Sequence, residues 1–369
     1  MPDLVIKPTA TSGNKLILKA QDGTTILTTS DSGATITGEL VPSTAYSHRN
    51  MIINGEMQVW QRSTDITASD GSNEGYNSID RWYFNFNSSC PGTLDIDKST
   101  DTPSGFGSSM KLKCNATGTP AGSSTDYVIA HTTLEAQDLQ RLCYGTADAK
   151  VTTLSWYMKS VNFTTPIGIY LETFDGTKEY YHVNATPTTS WARYSVTIPK
   201  STSATITNDN GAGLLIGFVL SGSDGSVAEA NDSSAWSTTQ KVYRSNQTNF
   251  FASTSNELYI TGLQFELGEN ATPYEHRSYG EELTRCQRYL YIMPTSGQHF
   301  PFTNFWSSSS NLRGYIPFPT EMRDTPAFGY LSGSFYNQAP TTWPLKHGMI
   351  TYSSDYSSTT GVLKFEIDF

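Results

Sequence analysis

Residues 257–267, Glu-Leu-Tyr-Ile-Thr-Gly-Leu-Gln-Phe-Glu-Leu, alternate in polarity. Tyr259, Leu263, Phe265 and Leu267 stand against Thr261, Gln264 and Glu266, with Gly262 out of step. A period of two is that of a half-buried strand. The same period returns at Val151–Lys159, where Leu154, Trp156 and Met158 share a face, and at Ala192–Ile198, where Tyr194, Val196 and Ile198 do. Ile167–Thr173, Tyr180–Val183 and Leu214–Leu220 are further strand-like runs, with turn residues between them. So many short alternating runs point to two packed antiparallel sheets, and residues 48–277 read as one β-sandwich. One short helix is predicted over Thr133–Leu142.

The 369-residue chain is long enough for two or three domains with cores of their own. Only 16% of its residues are charged, whereas aromatics reach 12%, with 21 Tyr and 7 Trp. That balance suits short strands, polar turns and a surface for neutral polar ligands such as glycans. The net charge of −10 comes without a basic stripe, which argues against a nucleic-acid partner. No apolar run approaches the ~20 residues of a membrane span. The first residues lack the basic and apolar regions of a secretory signal. Cys90, Cys114, Cys143 and Cys286 lack zinc spacing and read as reduced, mostly buried residues.

Residues 1–47 form a separate segment. Strand-like Lys15–Ala20 and Thr24–Thr29 flank Asp22-Gly23, a β-hairpin signal, and Asp31-Ser-Gly precedes another strand. So few apolar residues cannot close a core in one copy, but pairing with identical copies around an axis would. A second junction follows the sandwich. Pro273 keeps the chain extended, Ser278 and Glu281 have capping-box spacing, and Tyr279, Leu283, Cys286 and Leu290 make a helical stripe. Residues 278–290 are therefore read as a linker helix. Leu283, Cys286 and Leu290 are the oligomer-interface candidates, against the plainer reading of a stripe packed on its own domain. Residues 291–369 read as a second, smaller β domain. From 290 to 369, 16 residues are Phe, Tyr or Trp, and Val362–Phe369 alternates like an ordered terminal strand.

No catalytic constellation stands out. The six histidines are dispersed, and no Gly-x-Ser-x-Gly elbow, phosphate loop or dinucleotide fingerprint occurs. Carboxylates lie mainly in turns, as at Asp70, Asp97, Asp209 and Asp224, and read as solvated. No cofactor is expected. Glu56, Asp80 and Glu266 are the carboxylates available to a structural calcium of the kind sandwich loops often hold, although a surface or core-edge role suits each. The binding candidates are aromatic. A sugar ring stacks its C–H face on Trp or Tyr while its hydroxyls meet polar side chains. Trp306, Tyr315, Tyr336, Trp343 and Tyr352 lie near Ser/Asn/Thr-rich loops and are the carbohydrate-binding candidates. Each taken singly suits a core or subunit-contact role.

The junction 260–289 and Gly314-Tyr-Ile-Pro-Phe-Pro-Thr-Glu-Met-Arg-Asp-Thr-Pro326 resemble segments of tail-fibre and virion appendage proteins of tailed bacteriophages. Asn50–Arg62 and Ser78–Phe84 resemble the start of the same appendage domain, and residues 1–47 look like the attachment region of marine-phage fibres. A weaker likeness, in the Ser-Trp-Tyr-Met-Lys and Leu-Gln-Phe-Glu-Leu-Gly strands, is to the jelly-roll of carbohydrate-binding modules. The resemblance implies an all-β chain: an attachment segment, a jelly-roll body, a short helix, and a C-terminal domain forming the receptor-binding tip. It implies a non-enzymatic homotrimer in the virion, joined through residues 1–47 to tail or adaptor proteins and binding host polysaccharide. Alternatives are a head fibre or capsid decoration protein without a receptor role, a glycan-cleaving tailspike, and a free carbohydrate-binding module of a secreted enzyme.

Overall fold

The computed structural model describes residues 17–19, 25–30, 33–36, 47–87, 92–120, 126–223, 235–240, 242–243, 246–294, 303–308, 311–335, 341–345, 348–353 and 359–367. The chain forms two units, Met1–Ser47 and His48–Phe369. In the first, β1 (Ile17–Lys19), β2 (Thr25–Ser30) and β3 (Gly33–Ile36) make an antiparallel meander. Ile17 and Leu18, neighbours that face opposite ways, are each 47% exposed.

The second unit opens with a jelly-roll β-sandwich. Its strands are β4 (Asp65–Ser69), β5 (Tyr83–Asn87), β6 (Thr93–Ser99), β7 (Ser109–Ala116), β8 (Tyr127–Glu135), β9 (Thr152–Val161), β10 (Ile167–Thr173), β11 (Tyr180–Ala185), β12 (Ala192–Ile198), β13 (Ala212–Gly222) and β14 (Glu257–Leu267). One sheet runs β11-β10-β13-β8-β5 and the other β12-β9-β14-β7-β6-β4, with antiparallel pairing throughout. Period-two alternation builds the core between them. In β7, Met110, Leu112 and Cys114 are buried while Lys111 and Lys113 point outward. Trp82 and Trp156 both pack on Phe218, with ring centroids 6.1 Å and 5.9 Å away. Truncating such a ring to Ala costs about 3–5 kcal/mol.

The predicted helix over Thr133–Leu142 is half right. Strand β8 runs on through Glu135, paired with β13, and only Ala136–Leu142 turns into a 3-10 helix. Residues 50–62 hold no regular element, yet most are buried. Asn54 organises them from the left-handed region (φ 58°), which Asn tolerates better than most residues. Its amide donates to the carbonyls of Val59 (2.9 Å) and Asp80 (3.0 Å), and accepts from the N–H groups of Gln58 and Val59.

Helix α1 spans Tyr279–Gln287, capped by Ser278, whose Oγ accepts from the Glu281 N–H at 3.3 Å. The expected helix to residue 290 stops short, because Leu290 pairs with Glu366 and opens β15 (Leu290–Pro294). The remaining strands are β16 (Thr303–Ser308), β17 (Asn311–Pro317), β18 (Ala327–Phe335), β19 (Thr341–Leu345), β20 (Gly348–Ser353) and β21 (Thr359–Glu366). They form sheets ordered β15-β21-β18 and β16-β17-β20-β19. Strand β21, central in its sheet, contains the start of the expected terminal strand.

Candidate functional site

The outer face of the five-stranded sheet is read from its register. One cross-strand row runs Tyr83, His131, Gly217, Tyr170, His182; the next runs Asn85, Ile129, Val219, Gly168, Asn184. The chain covers much of this face itself. Val242 and Tyr243 pack on Ile129, Tyr170, Leu215 and Val219. Gln247 lies over Gly168, where a Cβ would come within 2.0 Å of its Nε2. That nitrogen is 3.0 Å from both His182 Nε2 and Asn184 Oδ1. Glycine at 168 is what lets the covering segment approach so closely.

The β5 side of the face is open. Phe84 and Phe86 enter the core, which leaves Tyr83, Asn85 and Asn87 half-buried on the outside. Residues 70–76 run along this edge. Asp70 turns the loop by accepting from the Ser72 N–H at 2.8 Å, and Gly75 exchanges two backbone hydrogen bonds with Phe84. Exposed Glu74 reaches β5, its Oε2 3.3 Å from the Phe86 N–H. Between loop and strand lies an open cleft of about 450 Å³, lined by Gly71, Glu74, Asn85, Phe86 and Asn87.

Beside the cleft, Tyr83 stacks on His131 with ring centroids 5.2 Å apart, and Tyr76 meets Tyr83 edge-on at 5.0 Å. Burial pushes the His131 imidazole down to about 3, so it is neutral at pH 7. Burial, and then the Glu74 charge, raise the Tyr83 phenol, which keeps its proton and can donate it in a hydrogen bond. The buried Asn85 Oδ1 and His131 Nδ1 have no hydrogen-bond partner. The cleft lining offers amide and carboxylate groups beside Phe86, with the Tyr83 phenol on the same outer face of β5.

The three carboxylates considered for calcium are occupied separately. Glu56 accepts from Gln58 Nε2 and bonds His276 Nδ1; burial raises its carboxyl, and the His276 contact opposes that. Asp80 accepts from the Gln61 N–H (2.6 Å) and side chain (2.8 Å). Glu266 accepts from Gln264 and from the Thr272 N–H and hydroxyl. Among the described residues, no three His, Cys, Asp or Glu side chains gather as a metal site.

Both signature phrases act as clasps. Glu275 accepts from the N–H groups of His48 (2.5 Å) and Asn50 (2.8 Å), Arg277 donates to the carbonyls of Asn50 and Ile52, and Glu282 accepts from the Asn54 N–H. The junction thus pins the start of the sandwich. In the second phrase Phe318 and Met322 are buried. Arg323 donates to the carbonyls of Ile367 (3.1 Å) and Asn210 (2.9 Å), so it joins the C-terminal strands to the sandwich.

Of the oligomer candidates, Cys286 and Leu290 are buried within the chain itself, Leu283 is half-buried, and neighbouring Tyr279 is 55% exposed. Among the aromatic candidates, Tyr315 and Trp343 both pair with Ile350 in one cross-strand row, while Tyr352 pairs with Arg313. Trp306 pairs with Leu312, one position out of step with that set. The side chains of these four, and Tyr336 altogether, lie outside the described residues. The cleft residues Glu74, Asn85 and Asn87 were not read from the sequence. Their signal was the alternation Tyr83-Phe-Asn-Phe-Asn87, which marks a strand with an amide-bearing outer face.

No family model and no curated protein matches the chain. Among solved structures, the enzymatically active domain of tailspike protein 4 of bacteriophage CBA120 aligns with 59% of this chain at 12% identity and a TM-score of 0.31. The alignment spans 21% of that tailspike chain. A CBM4 module aligns with 58% of this chain and 98% of its own, at 10% identity and a TM-score of 0.32. The family 11 carbohydrate-binding module of a cellulosomal cellulase of Clostridium thermocellum aligns with 55% of this chain and 95% of its own, at 13% identity and a TM-score of 0.30.

Proposed function

We propose that this chain is a bacteriophage tail fibre or similar virion appendage that holds host surface glycans without cleaving them. The observation that carries the reading is the open cleft beside β5, where Glu74, Asn85 and Asn87 lie near Tyr83, which stacks on His131 and meets Tyr76 edge-on. Sugar hydroxyls need acceptors and donors of this kind, and sugar C–H faces need aromatic surface. Glycoside hydrolysis commonly uses two carboxylates facing one bond, whereas the cleft lining supplies one, Glu74. The virion assignment rests on the resemblance of the two signature phrases and of residues 1–47 to phage appendage sequences.

In this reading residues 1–47 attach the protein to the particle, and identical copies cover the exposed Ile17 and Leu18 in a homotrimer. Several weak sites on one particle then give firm, initially reversible adhesion. The test is adsorption of purified protein to host cells. Asn85→Ala and Tyr83→Ala are expected to weaken it while the melting temperature stays within a few degrees of wild type. Release of reducing ends from host polysaccharide would instead identify a glycan-cleaving tailspike. A chain found on the capsid, with no affinity for host cells, would identify a decoration protein.

A further inference from the structure

We propose that the β5 cleft selects neutral sugars and rejects acidic ones; this rests on the reading of the cleft as a glycan site. The charge of its lining decides the matter. Of Gly71, Glu74, Asn85, Phe86 and Asn87, only Glu74 bears an acidic group, and among the described residues no Lys or Arg lines the space. Arg62 lies 5.7 Å from the Tyr76 ring, but it is committed to Glu366 at 2.6 Å and faces Asp80 at 3.9 Å.

Glu74 has the capacity to bind a ligand. The hydrogen bond its Oε2 accepts from the Phe86 N–H is long at 3.3 Å and leaves acceptor positions on both oxygens. A carboxylate accepts well from adjacent hydroxyls, since hydrogen bonds to an ionised acceptor are the stronger kind. Asn85 and Asn87 stand two residues apart on the same side of β5, so their amides flank the bound ring with both donors and acceptors. The buried Asn85 Oδ1 gains a hydroxyl donor once the carboxamide rotates toward the cleft. A uronate, sulfate or phosphate placed here would meet Glu74 with no compensating cation. The chain's net charge of −10 adds long-range repulsion at low salt.

The experiment titrates the full chain with a neutral β-glucan or galactan and with alginate, an acidic polymer, by calorimetry at fixed ionic strength. Wild type is expected to bind a neutral polymer at least tenfold more tightly than alginate. Glu74→Gln should weaken the neutral polymer severalfold and narrow that gap. Alginate bound as tightly as the neutral polymers, with Asn85→Ala and Asn87→Ala weakening both, would overturn the selectivity and leave the cleft standing as a glycan site. Neutral binding untouched by all three substitutions would remove the cleft itself. Absence of binding to every neutral polymer would also overturn the proposal. Unchanged thermal melts of the variants separate these outcomes from misfolding.

Discussion

Arg288 and Glu135, 153 positions apart in sequence, form a two-point ion pair, with Nε 2.7 Å from Oε1 and Nη2 2.8 Å from Oε2. Glu135 ends β8 in the sandwich, whereas Arg288 follows α1 and leads into the C-terminal strands. The Tyr289 hydroxyl donates to the same carboxylate, and the Arg81 guanidinium lies 3.3 Å from the centre of the Tyr289 ring. The Arg288 carbonyl in turn accepts from the Arg323 N–H at 2.8 Å. One buried carboxylate thereby helps hold the two halves of this unit together.

Removing Arg288 should cost far more than removing a surface ion. Arg288→Met leaves the fully buried Glu135 carboxylate facing Tyr289 and Gln137 alone, a loss of about 3–5 kcal/mol in stability. Burial alone would raise the Glu135 carboxyl, but the bonds from Arg288 and Tyr289 outweigh it and hold the group below its ordinary value. Its stabilising contribution is therefore present above the unfolded pKa of about 4.3 and is lost as pH falls through the lower folded value. Chemical denaturation at pH 7 and pH 3 should show the Arg288→Met penalty shrinking in acid.

His131 gives a second pH dependence. Its folded value of about 3 lies below the unfolded value of about 6.5, because the charged ring cannot be solvated where it sits. Between those limits the unfolded chain takes up a proton that the folded one refuses. Stability from this group is intact above about 6.5 and erodes as pH falls toward 3. His131→Phe keeps a ring against Tyr83 and removes the titration. Its midpoint in urea should fall less than that of wild type between pH 7 and pH 4.5, and parallel curves would refute the assignment.

The alternation of Leu154, Trp156 and Met158, and of Tyr194, Val196 and Ile198, made the sandwich legible in the sequence, since a period of two admits few other structures. Strands β10, β12 and β14 begin and end where the pattern places them. The stripe Tyr279, Leu283, Cys286, Leu290 was legible only as helix. Nothing local reveals that Leu290 finds Glu366 across a sheet, a pairing of distant segments. Residues 133–135 failed for a related reason: the helical spacing of Leu134, Leu139 and Leu142 cannot show that Leu215 of β13 lies opposite Thr133. The cleft was hidden because Glu74 and Asn85 are ordinary polar residues until Gly75 pairs with Phe84 and sets the loop beside the strand.

Gly168→Ala should loosen the cover over the outer sheet face. A methyl group at 168 would sit 2.0 Å from Gln247 Nε2 and 2.5 Å from His182 Nε2, distances at which one side chain must leave. Overpacking of this kind costs about 1–3 kcal/mol. Amide hydrogen exchange should rise in residues 242–243 and 246–249 before it rises in the sandwich strands. Equal protection in wild type and variant would mean that Gln247 moves aside without cost.

Deleting residues 1–47 should leave residues 48–369 folded, because the chain divides at Ser47 and His48 and the core of the second unit is complete without the meander. Light scattering is expected to show the full chain as a trimer and the truncated chain as a smaller species. Leu283→Asp tests whether α1 shares that interface. Since Cys286 is already buried within the chain, half-buried Leu283 and exposed Tyr279 are the positions from which this helix could meet another copy. A trimer that survives both changes places the contact elsewhere.

Trp343→Ala and Trp306→Ala test the C-terminal sheets as a second place of contact. Trp343 shares a register row with Tyr315 across Ile350, and Trp306 pairs with Leu312, three positions along β17 from Tyr315, so the two rings test different positions. A ring that stacks on sugar contributes about 0.5–1.5 kcal/mol per site beyond its buried area, and repetition over several copies multiplies the loss into a large avidity defect. A ring buried in the domain would instead take about 3–5 kcal/mol of stability with it when truncated. Adsorption to host cells should fall in at least one variant while its melting temperature holds. Early melting would assign that ring to the core. Stable variants that adsorb as wild type does would remove both rings from the contact and leave the sandwich cleft as the place where the glycan is held.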